Sequence, residues 1–213
     1  MPNPSATARA RKIKLILFDV DGVLTDGKIW IFPAPGPQSG GQQSVLEKSA
    51  QGVSQASGQS GFGFHSASLI EAKGFHAHDG TAISLARLAG IKTGIITKRI
   101  SETVALRARD LKMDHVYQGI QDKASAVLQI LEQDHTTAAE TAFVGDDVID
   151  LPAMRKCGLA IAVKNARPEV KAEAHWVTAH AGGDGAARDA IEYILKSQGR
   201  WKRVVEEYIS GRS

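Results

Sequence analysis

The stretch Phe18-Asp19-Val20-Asp21-Gly22-Val23-Leu24-Thr25-Asp26-Gly27 decides the reading of this 213-residue chain. It completes the aliphatic run Ile13–Phe18, which reads as a buried strand. Two carboxylates, Asp19 and Asp21, stand where that strand ends. Charges so close to an apolar run are costly unless paired, and a divalent cation would pair them. A carboxylate can also attack phosphorus and form an aspartyl-phosphate, dividing one difficult displacement into two easier ones. The second carboxylate is placed to protonate a leaving oxygen and then to activate water. Gly22 allows the chain to turn sharply away. The plainer alternative is a strand end followed by an Asx-type turn.

A second stretch repeats the design. Val144-Gly145-Asp146-Asp147-Val148-Ile149-Asp150 is an apolar run, a glycine and clustered acids. Hard oxygen donors are what Mg²⁺ prefers. Asp146 is the first candidate ligand, with Asp147 and Asp150 as further ligands or outer partners. One of these acids could equally cap the helix that begins at Val148, and Asp150 in particular could be structural. Thr97 ends the strand Thr93–Ile96 and offers a hydroxyl and a backbone N–H to a phosphate. Lys123 opens a helix after Gln121-Asp122, where an ammonium can neutralise developing phosphoryl charge. Alone, such a threonine is usually a cap and such a lysine is usually solvated. The ordered set Asp19/Asp21, Thr97, Lys123, Asp146/Asp147, each at a strand end or a helix start, is far more specific.

Working outward, aliphatic runs at 92–96, 141–144, 159–163 and 176–178 alternate with helical patterns at 81–89, 101–111, 123–132, 148–156 and 187–198. Such alternation predicts a mostly parallel sheet covered on both faces. Ligands of sheets of this type bind beyond the carboxyl ends of the strands, which is where the acids stand. Residues 36–63 break the pattern, with seven Gly, six Ser and six Gln in 28 residues. That composition cannot bury enough surface to fold alone. It reads as a flexible insertion, with a mobile lid as the functional alternative. Its flanks, Lys28–Phe32 and Leu69–His76, read as the two strands of a hairpin.

The formal charge of +3 is concentrated at the start, where Arg9, Arg11, Lys12 and Lys14 occur with no acid before residue 15. The remainder is close to neutral, a poor footprint for nucleic acid. Residues 1–12 are expected to be a disordered basic arm. A single cysteine, Cys157, excludes a disulfide framework within the chain and reads as a buried hydrophobe. No apolar run reaches membrane-spanning length. A cytoplasmic, membrane-free protein is the expectation. His76 and His78 lie two apart and would share one strand face; zinc is conceivable, but ordinary strand or substrate-edge histidines are the simpler reading.

These motifs resemble the four motifs of the haloacid dehalogenase (HAD) superfamily. The resemblance implies a Rossmannoid three-layer α/β sandwich with a parallel central sheet. It implies Asp19 as nucleophile and Asp21 as acid/base, with Thr97 and Lys123 completing the catalytic set. It places Mg²⁺ on Asp19, the main-chain carbonyl of Asp21, and Asp146. Only 77 residues separate Asp19 from Thr97, which leaves no room for a large folded cap.

Lys73-Gly74-Phe75-His76-Ala77-His78-Asp79-Gly80 is similar to an element of the 3-deoxy-D-manno-octulosonate 8-phosphate (KDO 8-phosphate) phosphatases. Tyr117-Gln118-Gly119, Asp150-Leu151-Pro152, Gly182-Gly183-x-Gly185-Ala186-x-Arg188 and Gln198-Gly199-Arg200-Trp201 are similar too. This closer resemblance implies a capless homotetramer in which a neighbour's hairpin and C-terminal tail help close each site. It implies a sugar-acid phosphate as substrate, used in lipopolysaccharide biosynthesis. Arg99 and Arg107 match arginines that could bind a substrate carboxylate. Thr97-Lys98-Arg99 departs from the family's Thr-Gly-Arg, with Lys98 in place of the glycine. The domain expected over 13–198 would carry its hairpin at 28–76 and a tail at 199–213. A phosphatase for a related nine-carbon sugar acid phosphate, or a non-catalytic phosphosugar-binding tetramer, are the alternatives.

Overall fold

The computed structural model describes residues 4–33 and 69–211. Six parallel strands form the central sheet: β1 (Leu15–Phe18), β4 (Lys92–Ile96), β5 (His115–Tyr117), β6 (Thr141–Gly145), β7 (Leu159–Ala162) and β8 (Trp176–Val177). Their order across the sheet is β5-β4-β1-β6-β7-β8. The side chains of β1, Leu15 to Phe18, are fully buried, as expected of a parallel strand covered on both faces. Helices α2 (Ala77–Leu88), α3 (Glu102–Asp110), α4 (Lys123–Gln133), α5 (Leu151–Met154), α6 (Pro168–Glu173) and α7 (Ala186–Ser197) connect or flank the strands. From β1 the sheet grows outward through β4 and β5, then resumes on the other side of β1 with β6. Two crossovers therefore diverge at β1, and the crevice they leave lies at the carboxyl ends of β1, β4 and β6.

A separate two-stranded ribbon pairs β2 (Trp30–Pro33) antiparallel with β3 (Leu69–Ala72). This is the expected hairpin, with one change at its end. Residues 73–76 leave the ladder and α2 starts at Ala77, with His76 as its N-cap. His76 and His78 therefore do not share a strand face; their rings meet edge to face at 4.8 Å. The expected insertion at 36–63 lies outside the described residues. A one-residue bridge between Thr25 and Phe75 fastens the base of the ribbon to the loop after β1.

Both chain ends differ from expectation. Pro4–Ala10 forms a helix, α1, in place of a disordered arm. Ala6 and Ala10, four apart, are fully buried, so the small side chains on one face let the helix lie close to the domain. Thr7 Oγ1 lies 3.2 Å from the Tyr193 hydroxyl on α7, and Arg9 donates to the Gly158 carbonyl at 2.7 Å. Trp201–Ile209 forms α8, with Val204 fully buried and Trp201 beneath the Arg188 guanidinium at 4.9 Å. Its first turns are thus docked on their own subunit, while Tyr208 and Ile209 remain exposed. Helix α1 escaped the sequence reading because its buried face is made of small alanines alone.

Candidate active site

Asp19 follows β1 directly and is 4% exposed. The amides of Val23, Leu24 and Thr25 all donate to the Val20 carbonyl at 3.0–3.3 Å, so the chain coils tightly just past it. Its Oδ1 accepts from the Val20 amide at 2.7 Å and lies 2.9 Å from Lys123 Nζ. Neither contact uses Oδ2. Asp146 follows β6, the strand paired with β1, and Thr97 follows β4, the strand on β1's other side. The sheet order alone therefore brings the three together. They line a cleft of about 300 Å³ with Asp21, Lys98, Arg99, Asp147 and Ile149. A larger open groove of about 950 Å³, lined by Arg11, Lys14, Glu140 and Arg200 among others, lies at the opposite ends of the strands. Its one acid is already paired with Lys14, so it lacks the clustered carboxylates of the smaller cleft.

Beneath the cleft lies Lys123, 3% exposed. It opens α4 behind the N-cap Asp122, whose carboxylate accepts from the Ser125 amide at 3.1 Å. Its ammonium also donates to Asp150 Oδ1 at 2.7 Å. Burial opposes the lysine's charge, but Asp19 and Asp150 outweigh it and raise the pKa. Asp150 is fully buried. Its Oδ2 accepts from the amides of Asp146 and Asp147 at 3.0 and 3.3 Å. Asp150 thus braces the acidic loop from below, the structural option left open by the sequence. Asp147 caps the 3₁₀ turn Val148–Asp150.

The acids are short of positive charge. Burial, followed by the charge of Asp150, pushes Asp19 up to about 7 against the pull of Lys123. Burial and the charges of Asp150 and Asp19 push Asp146 up to about 7 as well. Asp146 Oδ1 is buried without a hydrogen-bond partner. Oxygens of Asp19, Asp146 and Asp150 lie within 4.8 Å of one another. An orphaned carboxylate oxygen beside the Asp19 carboxylate, with Asp150 bracing the loop from below, fits a divalent cation. Gly22 takes part in the same geometry: at φ +91° its missing Cβ would stand 2.3 Å from Asp146 Oδ2. Gly182 is held as tightly, since a Cβ there would overlap the Gly22 carbonyl.

A family model for haloacid dehalogenase-like hydrolases matches residues 91–189. The 3-deoxy-D-manno-octulosonate 8-phosphate phosphatase KdsC of Escherichia coli K12 is 34% identical over 193 residues, covering 91% of this chain and 85% of that protein. The chain belongs to the KdsC family of haloacid dehalogenase-like hydrolases. A crystal structure of a KdsC-family phosphatase from Moraxella catarrhalis, in complex with magnesium, phosphate and KDO, superposes with a TM-score of 0.76. It has 29% identity and covers 95% of this chain and 97% of that one. The Yersinia pestis phosphatase gives 0.74 at 31% identity, covering 93% and 89%.

Against this KdsC frame, most residues named from sequence converge. Asp19, Asp21, Thr97, Arg99 and Asp146 line the cleft and Lys123 supports it from within. The Thr97 amide does not face the cleft: it donates to the Tyr117 carbonyl at 2.9 Å, because the β4–β5 ladder runs one residue further than its regular strands. Arg107 is not among the cleft-lining residues. Its guanidinium lies 5.8 Å from the Phe75 ring centre and close to Gly80, and its Nε is buried without a hydrogen-bond partner. Cys157 is buried, and burial pushes its thiol up to about 12, so it remains protonated and inert. Lys73 and Glu71 had no role in the sequence reading, although Lys73 stands inside a quoted family-like element. Both reach the site through the hairpin base.

Proposed function

We propose that this protein is a Mg²⁺-dependent phosphatase that converts KDO 8-phosphate to KDO and phosphate, supplying a sugar acid for lipopolysaccharide. The observation that carries the reading is the pairing of buried Asp19 with half-buried Asp146, whose Oδ1 has no hydrogen-bond partner, both short of positive charge at the mouth of a KdsC-type sheet. Asp19, the Asp21 carbonyl and Asp146 would hold the ion. When bound, Mg²⁺ supplies positive charge to the phosphoryl oxygens and to the acids around them.

The chain's own residues carry the steps. Lys123 and the Val20 amide hold Asp19 Oδ1, which leaves Oδ2 free for attack on phosphorus. Asp21, at the cleft wall, donates its proton to the departing sugar oxygen as the P–O bond breaks. It then takes a proton from the water that hydrolyses the aspartyl-phosphate. The Thr97 hydroxyl and Lys123 bind phosphoryl oxygens, and Arg99 at the rim binds the sugar's carboxylate.

A homotetramer follows the same family reading. It is supported by the hairpin, where Trp30, Ile31, Phe32 and Ile70 are all about half exposed. An apolar ribbon of that kind calls for cover from another subunit. No helix among the described residues is long and apolar enough to cross a membrane, and the buried free thiol suits a reducing cytoplasm.

The test is phosphate release from KDO 8-phosphate with Mg²⁺, with and without EDTA, beside a nine-carbon sugar acid phosphate and simple hexose phosphates. Fast, EDTA-sensitive release that favours KDO 8-phosphate is expected. Metal-dependent release that favours another member of the panel would reassign the substrate. Binding without release would remove the catalytic reading.

A further inference from the structure

The hairpin delivers a lysine into the site. Lys73 follows β3 directly and its side chain is fully buried. Its ammonium donates to Asp21 Oδ1 and stands 3.9 Å from Glu71 Oε1. Glu71 is itself tied to the start of α3: its Oε1 accepts from Ser101 Oγ at 2.6 Å and its carbonyl from Thr103 Oγ1 at 3.1 Å. Glu71 Oε2 lies 3.4 Å from the Arg99 guanidinium, and Arg99 Nε lies 3.7 Å from Asp21 Oδ2. Asp21, Lys73, Glu71 and Arg99 thus close a ring of alternating charge.

A desolvated ammonium persists only where partners offset its cost. Here the nearer partner is the carboxylate at the cleft wall, so the burial of Lys73 is spent on fixing Asp21. Long side chains lose rotamer freedom when ordered. A buried anchor on Oδ1 removes that freedom from Asp21 before substrate arrives, which is how a proton donor gains effective alignment.

We propose that Lys73 is a positioning residue that fixes the Asp21 carboxyl against the leaving oxygen, so that the hairpin of the same subunit completes the acid/base half of the site. The proposal rests on the reading of Asp21 as the proton donor. The proton passes from Asp21 to the sugar oxygen as the bond from that oxygen to phosphorus breaks and the bond from Asp19 forms. In the second step one proton of the attacking water returns to Asp21, the oxygen joins phosphorus, and phosphate leaves Asp19. Lys73 exchanges no proton in either step.

Leaving-group chemistry separates this role from a structural one. A sugar alkoxide needs the proton, whereas p-nitrophenolate departs without it. The test is kcat/KM, which reports formation of the phosphoenzyme, for p-nitrophenyl phosphate and for whichever sugar phosphate the wild-type enzyme turns over best. For Lys73→Met the sugar phosphate should lose on the order of 100-fold, and p-nitrophenyl phosphate at least about ten times less. Asp21→Asn should show the same selectivity, and the double variant should lose little more than either single one, because the two act as a unit. Circular dichroism and thermal melting establish folding. Should Lys73→Met not fold, Lys73→Arg keeps the charge but shifts the donor, and the same selective loss is expected at smaller size.

Equal losses on both substrates, or additive losses in the double variant, would overturn the proposal. Because the sugar phosphate is chosen by wild-type rate, failure on KDO 8-phosphate would refute the substrate assignment and leave this test intact.

Discussion

Replacing Lys123 with methionine removes, among the described residues, the only ammonium in contact with Asp19 and with Asp150 while keeping the volume of the stem. Both acids are at least 95% inaccessible, so solvent cannot take over the lysine's role. Breaking a buried ion pair by deleting one partner costs about 3–5 kcal/mol, a large share of the roughly 5–15 kcal/mol that stabilises a domain. For a chain of this length each kcal/mol shifts the melting temperature by about 2–4 °C. Metal-free Lys123→Met should therefore melt about 6–20 °C below the wild type at pH 8.

The loss should depend on pH, with a definite sign. A carboxyl whose folded pKa is raised contributes fully below its unfolded value near 3.8 and loses stability as pH climbs to the folded value. Asp19 already sits at about 7 with Lys123 pulling it down; without the lysine it moves higher and the losing window lengthens. At pH 5 both proteins hold Asp19 protonated and the gap between them should narrow. Differential scanning calorimetry in EDTA at pH 5 and pH 8 measures this. A variant that melts within 2 °C of wild type at pH 8, or by the same deficit at both pH values, would refute the reasoning.

Mg²⁺ should stabilise the wild type more at pH 8 than at pH 6, because protons compete for Asp19 and Asp146, both at about 7. At a hundredfold excess over Kd the gain is about 2.7 kcal/mol, read as a rise in melting temperature, and an equal rise at both pH values would contradict the metal placement. Gly22→Ala puts a Cβ 2.3 Å from Asp146 Oδ2 at a positive φ and should weaken Mg²⁺ binding at least about tenfold by calorimetric titration, with stability lost by about 1–3 kcal/mol. Arg99→Met should raise KM for a carboxylate-bearing sugar phosphate by about tenfold or more. Arg107→Met, outside the cleft lining, should raise it less; steady-state kinetics of the two variants would show the reverse order if Arg107 swings in to bind substrate.

The core of the site was legible because it is written locally. Asp19 and Asp146 each follow an aliphatic run whose burial fixes the strand, and a parallel sheet aligns those strand ends without further information. Lys123 was legible for the same reason, as the first residue of a helix behind an aspartate cap. What escaped depends on contacts between distant segments. Lys73 meets Asp21 only because the hairpin folds back over the loop after β1, and nothing in the spacing of 52 residues encodes that. Asp150 was open between ligand and brace until Lys123 and two loop amides were seen to occupy its oxygens. Strand β5 is three residues long and lacks a run long enough to show a period. Helix α1 carries three alanines and a single arginine, and its burial is decided by the surface of α7 and β7.

The central claim is that Asp19 attacks phosphorus. It is tested most directly by mixing enzyme, Mg²⁺ and phosphorus-labelled KDO 8-phosphate, quenching in acid within the first turnover, and mapping the label by peptide mass spectrometry. The account predicts a base-labile phosphoryl group on the peptide containing Asp19, absent from Asp19→Asn, which should also release no phosphate. Turnover by Asp19→Asn at near wild-type rate, or label carried by another residue, would contradict it.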